Sequence, residues 1–404
     1  MNLQLTHKLF PVIIFIAGVS LSSLVKAQDF ADSLDGRTNV INTAVPFLRI
    51  APDARAAGMG DAGLALSPDA NALFWNTAKI PFVKDTSGKE VDQKLSVAVT
   101  YTPWLRELVN DIYLASLGVS YKLDKTQGLA FGLRYFSLGS ITFTDASGNT
   151  LGDFNPREFC IDAGYGRRLS KYFSTGINLG FVYSNLAQGY SVNNVPIKAG
   201  KAVKADLSFF FNHPAKFGKT VKGEYNIGAT ISNIGNKITY TESAENKDFL
   251  PTNLGLAGGV TFKFDKYNKL TYDLDFNKLL VPTPDSSGDF RNMGVAEGMF
   301  KSFTDAPGGA KEELKEIDIS TGIEYWYKDL FSVRTGFFYE DKTKGNRQFL
   351  TAGLGIKYNV FGLNFSYLIP TSNQKSPLDN TLRFTLYFDF DQMKKQAEAP
   401  DESQ

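Results

Sequence analysis

The strongest constraint on this chain is a period-two alternation that restarts fourteen times between Leu95 and Phe390. In each segment apolar side chains take every second position. Examples are Leu95/Val97/Val99/Tyr101, Tyr113/Ala115/Leu117/Val119/Tyr121, Val203/Ala205/Leu207/Phe209/Phe211 and Leu382/Phe384/Leu386/Phe388/Phe390. The intervening positions are small, polar or charged, among them Arg134, Glu158, Asp162, Asn178, Asp206, Asp273, Asp275, Asp318, Glu324, Arg334 and Arg383. A strand sends successive side chains to opposite faces, so each segment has one apolar and one polar face. No charge enters the apolar sets. A lysine or arginine facing lipid at the bilayer midplane costs about 2–4 kcal/mol, which accounts for segregation this strict.

A soluble sandwich also alternates, but the connections point to a closed barrel. Those at 123–127, 168–172, 265–268, 328–330 and 359–361 are short; those at 138–157, 185–202, 234–252 and 279–316 are long. Outer-membrane barrels have short periplasmic turns and long external loops in this order, and an even strand number. The connection 212–223 stands out as a long turn, and 102–111, 341–347 and 371–380 are of moderate length. Many apolar sets end in Tyr or Phe, where interfacial aromatic girdles would lie. The expected fold is all-β: a 14-stranded antiparallel outer-membrane β-barrel over residues 95–390, with an N-terminal lumenal plug and short helices in outer loops.

The amino terminus reads as an export signal. His7-Lys8 precedes an apolar core from Leu9 to Leu21, and Val25-Lys26-Ala27 suits cleavage before Gln28, so residues 1–27 are expected to be removed. Beyond them no apolar run reaches the roughly 18–20 residues of a membrane helix. Cys160 is the single cysteine, so no intrachain disulfide forms. A formal net charge of +1 lacks the basic footprint of a nucleic-acid binder. Residues 391–404 form a charged tail without aromatics, expected to be disordered.

Residues 28–94 do not alternate. The stretch Phe47-Leu48-Arg49-Ile50-Ala51-Pro52-Asp53-Ala54-Arg55-Ala56-Ala57-Gly58-Met59-Gly60-Asp61-Ala62-Gly63 is crowded with small residues, and Gly58, Gly60 and Gly63 permit tight turns. Inward strand positions are rich in glycine, which leaves room inside the wall. This segment is therefore expected to fold into the lumen; a periplasmic extension is the other reading of the same residues.

Two outer connections carry apolar residues at helical spacing. Thr102 could cap a helix that Pro103 begins, with Trp104, Leu105, Leu108 and Val109 along it. In the longest loop Val295, Met299, Phe300 and Phe303 recur on one helical face. Exposed apolar patches mark contact sites, so these residues are candidates for docking a partner; folding back over the barrel mouth would explain them equally. Catalysis finds little support. His7 and His213 are the only histidines, the second in the turn 212–223, and neither metal spacing nor a cofactor motif is present. Asp273 and Asp275 share the inward face and are expected to pair with arginines such as Arg334 or Arg383.

Two resemblances bear on function. The run Ala54–Ala78, ending Asp69-Ala70-Asn71-Ala72-Leu73-Phe74-Trp75-Asn76-Thr77-Ala78, resembles the N-terminal hatch of FadL-like barrels, in which a small-residue stretch leads to Asn-Pro-Ala. Here Thr77 replaces the proline between Asn76 and Ala78, a departure that argues against the transport role of that hatch. Phe388-Asp389-Phe390 resembles the aromatic carboxy-terminal signal read by outer-membrane assembly machinery. The chain is more closely similar to the PorV family, FadL-like outer-membrane components of the type IX secretion system. That likeness lies in Pro46 to Gly60 and in Tyr101-Thr102-Pro103-Trp104-Leu105. The resemblance implies a non-enzymatic role: binding the C-terminal signal domain of secreted cargo, receiving it at the translocon channel and delivering it to a sortase-like surface protein. The runner-up is a FadL-like transporter of small hydrophobic molecules, which would need a continuous apolar pocket and a gap in the wall.

Overall fold

Fourteen antiparallel strands close into one barrel. The computed structural model describes residues 39–84, 90–104, 109, 111–144, 147–192, 195–241, 247–284, 289–371 and 380–390. The export signal, the polar tail, Leu105 and Leu108 lie outside the described residues. The wall strands are β1 (Lys94–Pro103), β2 (Ile112–Lys122), β3 (Gln127–Leu138), β4 (Arg157–Arg168), β5 (Phe173–Asn185), β6 (Gly200–Phe217) and β7 (Val221–Gly235). The second half comprises β8 (Asn253–Lys263), β9 (Asn268–Leu279), β10 (Ile317–Tyr327), β11 (Phe331–Tyr339), β12 (Gln348–Tyr358), β13 (Phe361–Pro370) and β14 (Leu382–Asp389). Every strand pairs with its sequence neighbours, and β1 meets β14 with Val99 opposite Leu386. Closure satisfies each strand's backbone within the wall, as a hydrocarbon surround demands.

The apolar sets form the outer surface. Leu179, Val203, Ile227 and Ile356 are each more than half exposed, and all face outward. Aromatic pairs border this band at both ends. Tyr101–Tyr113 (ring centroids 5.5 Å apart) and Phe159–Tyr183 (5.0 Å) stand toward the long loops. Phe173–Phe209 (6.2 Å) and Phe361–Phe388 (5.4 Å) stand toward the short turns. Such girdles sit at the two membrane interfaces.

Two local expectations are corrected. The segment 212–223 is not a long turn: β6 and β7 run through it, and the reversal is Gly218-Lys219-Thr220, with Gly218 at φ 71°. His213 therefore stands in a strand, its ring 4.5 Å from Tyr172 and 5.3 Å from Tyr225. Beyond the hydrocarbon no lipid enforces alternation, so Pro214, Lys216 and Lys222 broke the pattern without ending the strand. Likewise Thr102 and Pro103 belong to β1, so Pro103 does not begin a helix. Trp104 continues the hairpin, its amide donating to the Ile112 carbonyl at 2.9 Å.

The long connections carry small structures of their own. Ile141–Thr144 pairs with Thr150–Phe154, and Ser191–Val192 pairs with Val195–Pro196. Between β9 and β10 lie helices Val295–Lys301 and Ala310–Lys315.

Candidate functional site

The chain from Asn39 to Lys84 packs against the inward faces of the strands and forms one structural unit with them. Short helical turns at Pro46–Arg49, Ala54–Ala57 and Ala72–Trp75, then a six-residue 3-10 turn Thr77–Phe82, let it fold tightly. Asp53 caps the second turn, its carboxylate accepting from the Arg55 and Ala56 amides at 2.9 Å. The other carboxylate oxygen accepts from the Trp75 indole at 2.7 Å, so one buried side chain joins the second turn to the third.

Hydrogen bonds tie the segment to strands around the wall. The Ala54 amide donates to Thr385 on β14, and the Gly60 amide to Thr351 on β12, both at 2.9 Å. The Gly63 and Leu64 amides donate to Asp275 on β9, at 2.8 and 3.0 Å. The Ala78 amide donates to Ser208 on β6 at 3.1 Å, and Ser116 on β2 donates to the Pro52 carbonyl at 2.6 Å. Asn76 accepts from the Ala78 amide at 3.1 Å and donates to the Phe209 carbonyl at 3.0 Å. Thr77 lies over Gly164 and Gly166 on β4.

Close approach requires glycine. Gly60 adopts φ 73°, and a Cβ there would stand 2.5 Å from the Phe337 amide nitrogen. Gly336 on β11 meets the same turn from the wall: its Cβ would lie 2.1 Å from both Gly60 N and the Met59 carbonyl carbon. Gly58 stands less tightly against Gly353 on β12, where an added Cβ would lie 3.2 Å from the Gly353 Cα.

An ion-pair chain crosses this interface. Arg55 grips Glu324 on β10 with Nε and Nη2, both at 2.9 Å, and reaches Asp69 with Nη1 at 2.9 Å. Arg334 on β11 donates to the same Glu324 at 2.7 Å. The expected pairing of Asp273 and Asp275 with Arg334 or Arg383 is therefore not what forms. Arg334 serves Glu324, Asp275 accepts backbone amides, and both Asp273 oxygens and the Arg383 Nε have no hydrogen bond among the described residues. The segment supplies partners that strand periodicity could not anticipate. The inward face is also less polar than expected. Leu114, Phe136, Val182 and Cys160 are buried with Val45, Phe47 and Leu48 in one apolar cluster. Where the segment excludes water, apolar inward residues become favourable.

At the outer end Arg49 reaches Asp318 at 2.6 Å and Arg134 donates to the Leu48 carbonyl at 2.9 Å. Trp104 is half-buried on this apolar cluster, edge-on to Phe136 with centroids 6.5 Å apart. The helix Val295–Lys301 rests on Pro282 and Phe249 through Gly298. Val295 and Met299 are half-buried beside that seam, Phe300 is 80% exposed, and Phe303 is 44% exposed just past the helix end. The helix is thus shorter than the spacing of all four residues suggests, ending where Ser302 caps it. Below it, Lys278 bridges Glu313 (3.0 Å) and Glu316 (2.6 Å), while Lys344 bridges Glu312 (2.6 Å) and Glu316 (2.9 Å). Asp53, Trp75 and Glu324 were not singled out in the sequence. Their only signal was an acid or an indole set among small or apolar neighbours.

A closed, even-stranded wall with an apolar belt between aromatic rows, packed on the inside by its own leading segment, defines a multi-pass outer-membrane β-barrel. A family model described as "Type IX secretion system protein PorV" matches residues 33–286, more than half of the chain. The chain belongs to that family and is an outer-membrane protein of the type IX secretion system. No curated protein matches it. Among solved structures it is similar to the CymD monoaromatic hydrocarbon channel, at 12% identity, covering 84% of this chain and 96% of that one, TM-score 0.43. It is also similar to the Pseudomonas putida toluene transporter TodX, at 10% identity, covering 83% and 96%, TM-score 0.40. A Pseudomonas aeruginosa FadL homologue matches at 10% identity, covering 88% and 99%, TM-score 0.37. Likeness at this level carries no inference about substrate.

Proposed function

We propose that this barrel binds the C-terminal signal domains of secreted cargo at its outer loops. It takes them from the type IX translocon channel and passes them to a sortase-like surface protein. The observation that carries this reading is the occupied interior. With Phe47, Met59, Leu73 and Ile80 essentially buried inside the wall, the interior is unsuited to passing a polypeptide. Work on cargo then falls to the external surface, where Phe300 and Phe303 project. Large apolar side chains exposed on a pinned loop favour protein contact. In this reading the segment Asn39–Lys84 acts as a permanent plug.

Phe300→Glu is expected to abolish cargo release from the cell while the barrel still assembles, because Phe300 contributes little to packing. Normal secretion by this variant would remove the helix as a docking site. Trp104→Glu is a less clean probe, since that ring also packs on Phe136. Pull-down of a cargo C-terminal domain by purified protein, set beside uptake of a small hydrophobic molecule into liposomes, separates this function from transport. Uptake without cargo capture would favour the transporter.

A further inference from the structure

The short-turn end of the barrel carries an arrangement that sheet stability does not explain. Lys216 on β6 stands directly opposite Lys222 on β7, Lys222 opposite Lys263 on β8, and Lys263 opposite Lys269 on β9. Side chains directly opposite in antiparallel strands share a face, with Cβ atoms about 4.5–5.5 Å apart, and like charges so placed destabilise the pairing. Four adjacent strands therefore hold an unbroken row of ammonium groups. The row faces inward. Lys263 and Lys269 line a vestibule of about 400 Å³ beneath the segment, together with Lys84, Lys94, Lys266 and Lys357. Lys216 and Lys222 continue the row on the same face and are exposed.

The neighbouring carboxylates are engaged elsewhere or reach only one end of the row. Lys269 takes Asp329 at 2.9 Å, and Glu224 holds Lys84. Asp265 accepts from the Tyr267 and Asn268 amides at 2.6 and 2.8 Å. Asp389 serves both Lys357 (2.5 Å) and Lys94 (3.4 Å). Lys216, Lys222 and Lys263 have no ion pair among the described residues. A water-filled mouth walled by low-dielectric protein focuses this excess positive charge.

The spacing and direction of the row select the ligand. Neighbouring strands lie about 4.8 Å apart, so four lysines span about 14 Å, more than one phosphate group covers. An extended peptide turns every second side chain to one face at about 6.8 Å intervals, so three alternating acids cover the same length. The inward direction removes lipid headgroups from contention, because the wall separates them from the row.

We propose that Lys216, Lys222, Lys263 and Lys269 form a docking strip for an acidic, extended segment of a periplasmic polypeptide, laid across β6 to β9 at the short-turn mouth. The carboxylates of the segment relieve the mutual repulsion within the row. This contact lies at the opposite end of the barrel from the outer loops and is independent of them.

The test is fluorescence anisotropy of a labelled seven-residue peptide alternating glutamate and threonine, titrated with the full-length protein in uncharged detergent micelles. Binding should weaken several-fold between about 0.05 M and about 0.5 M salt, as screening shortens the reach of exposed charges. It should fall about tenfold in Lys216→Gln/Lys222→Gln/Lys263→Gln, the sum of three modest exposed charge pairs. That variant should unfold at the same or a higher denaturant concentration than the parent, because it removes opposed like charges; a purely structural role for the lysines would lower the midpoint. Lys198→Gln/Lys201→Gln/Lys311→Gln removes the same charge at the long-loop end and should bind like the parent. So should Phe300→Glu, which keeps this contact separate from cargo docking at the outer loops. Parent-like binding by the row variant overturns the proposal, as does an equal loss in the long-loop control. Equal binding of a peptide with glutamine in place of glutamate overturns it too. Displacement by inorganic tripolyphosphate far below the concentration needed of unlabelled acidic peptide would make the row a phosphate site instead.

Discussion

Leucine at Gly336 is expected to unseat the leading segment or to prevent the barrel from closing around it. Its Cβ would stand 2.1 Å from Gly60 N and 2.5 Å from the Met59 carbonyl oxygen, all backbone atoms. Gly60 cannot retreat, since at φ 73° it is itself wedged between Phe337 and Thr321. Overpacking at sites that can adjust costs about 1–3 kcal/mol, and here neither side can adjust, so the loss should exceed that range. Gly258→Leu is the matched control: it adds the same atoms on the same barrel, at a position with nothing within 4 Å of a Cβ. Denaturant unfolding in micelles should separate the two clearly. Any Gly336→Leu barrel that does close should conduct ions more freely in planar bilayers. Parent-like stability and conductance would mean that Met59 and Gly60 do not lie against β11.

The second large effect is expected at Glu324. Its carboxylate is 1% exposed and holds two guanidiniums, Arg55 and Arg334, the latter wholly buried. Glu324→Gln keeps the shape but leaves two positive charges facing each other without the carboxylate they share, Asp69 reaching Arg55 alone. Breaking a buried ion pair by removing one partner costs about 3–5 kcal/mol. Replacing the whole triad, Glu324→Gln with Arg55→Met and Arg334→Met, should recover most of that loss, because balanced apolar substitutes avoid the stranded charges. Asp69, 35% exposed, remains solvated when Arg55 is gone. Equilibrium unfolding midpoints check both expectations. If Glu324→Gln lies within about 1 kcal/mol of the parent, the triad is hydrated and does not hold the segment to β10.

These two sites differ sharply in how visible they were beforehand. Gly336 falls at an inward position of a regular strand, and its smallness already hinted at something close by, though not at Met59. Glu324 was one of eleven polar or charged inward residues, with nothing to separate it from Asp273, whose carboxylate finds no hydrogen bond among the described residues. Arg55 was noticed only for its place in the small-residue run, and its joint hold on Glu324 and Asp69 spans 269 and 14 residues. No local pattern encodes contacts at such separations. Reading failed in the opposite way at Pro103 and Pro214. Pro103 suggested a helix start, and Pro214 falls in the segment read as a long turn, yet both lie in strands. Each stands toward the end of a strand, away from the hydrocarbon band.

Sequence alone determined the wall: its strand number, which faces meet lipid, and the alternation of short turns with long loops. It could do so because hydrocarbon imposes a binary rule on every second residue, and that rule is local. Residues 28–94 were expected in the lumen from their small side chains, but only the tertiary structure decided which contacts seat Asn39–Lys84 there. The segment Asn39–Lys84 has no period, and its partners are chosen by shape and by unpaired amides and charges brought together only when β1 closes on β14.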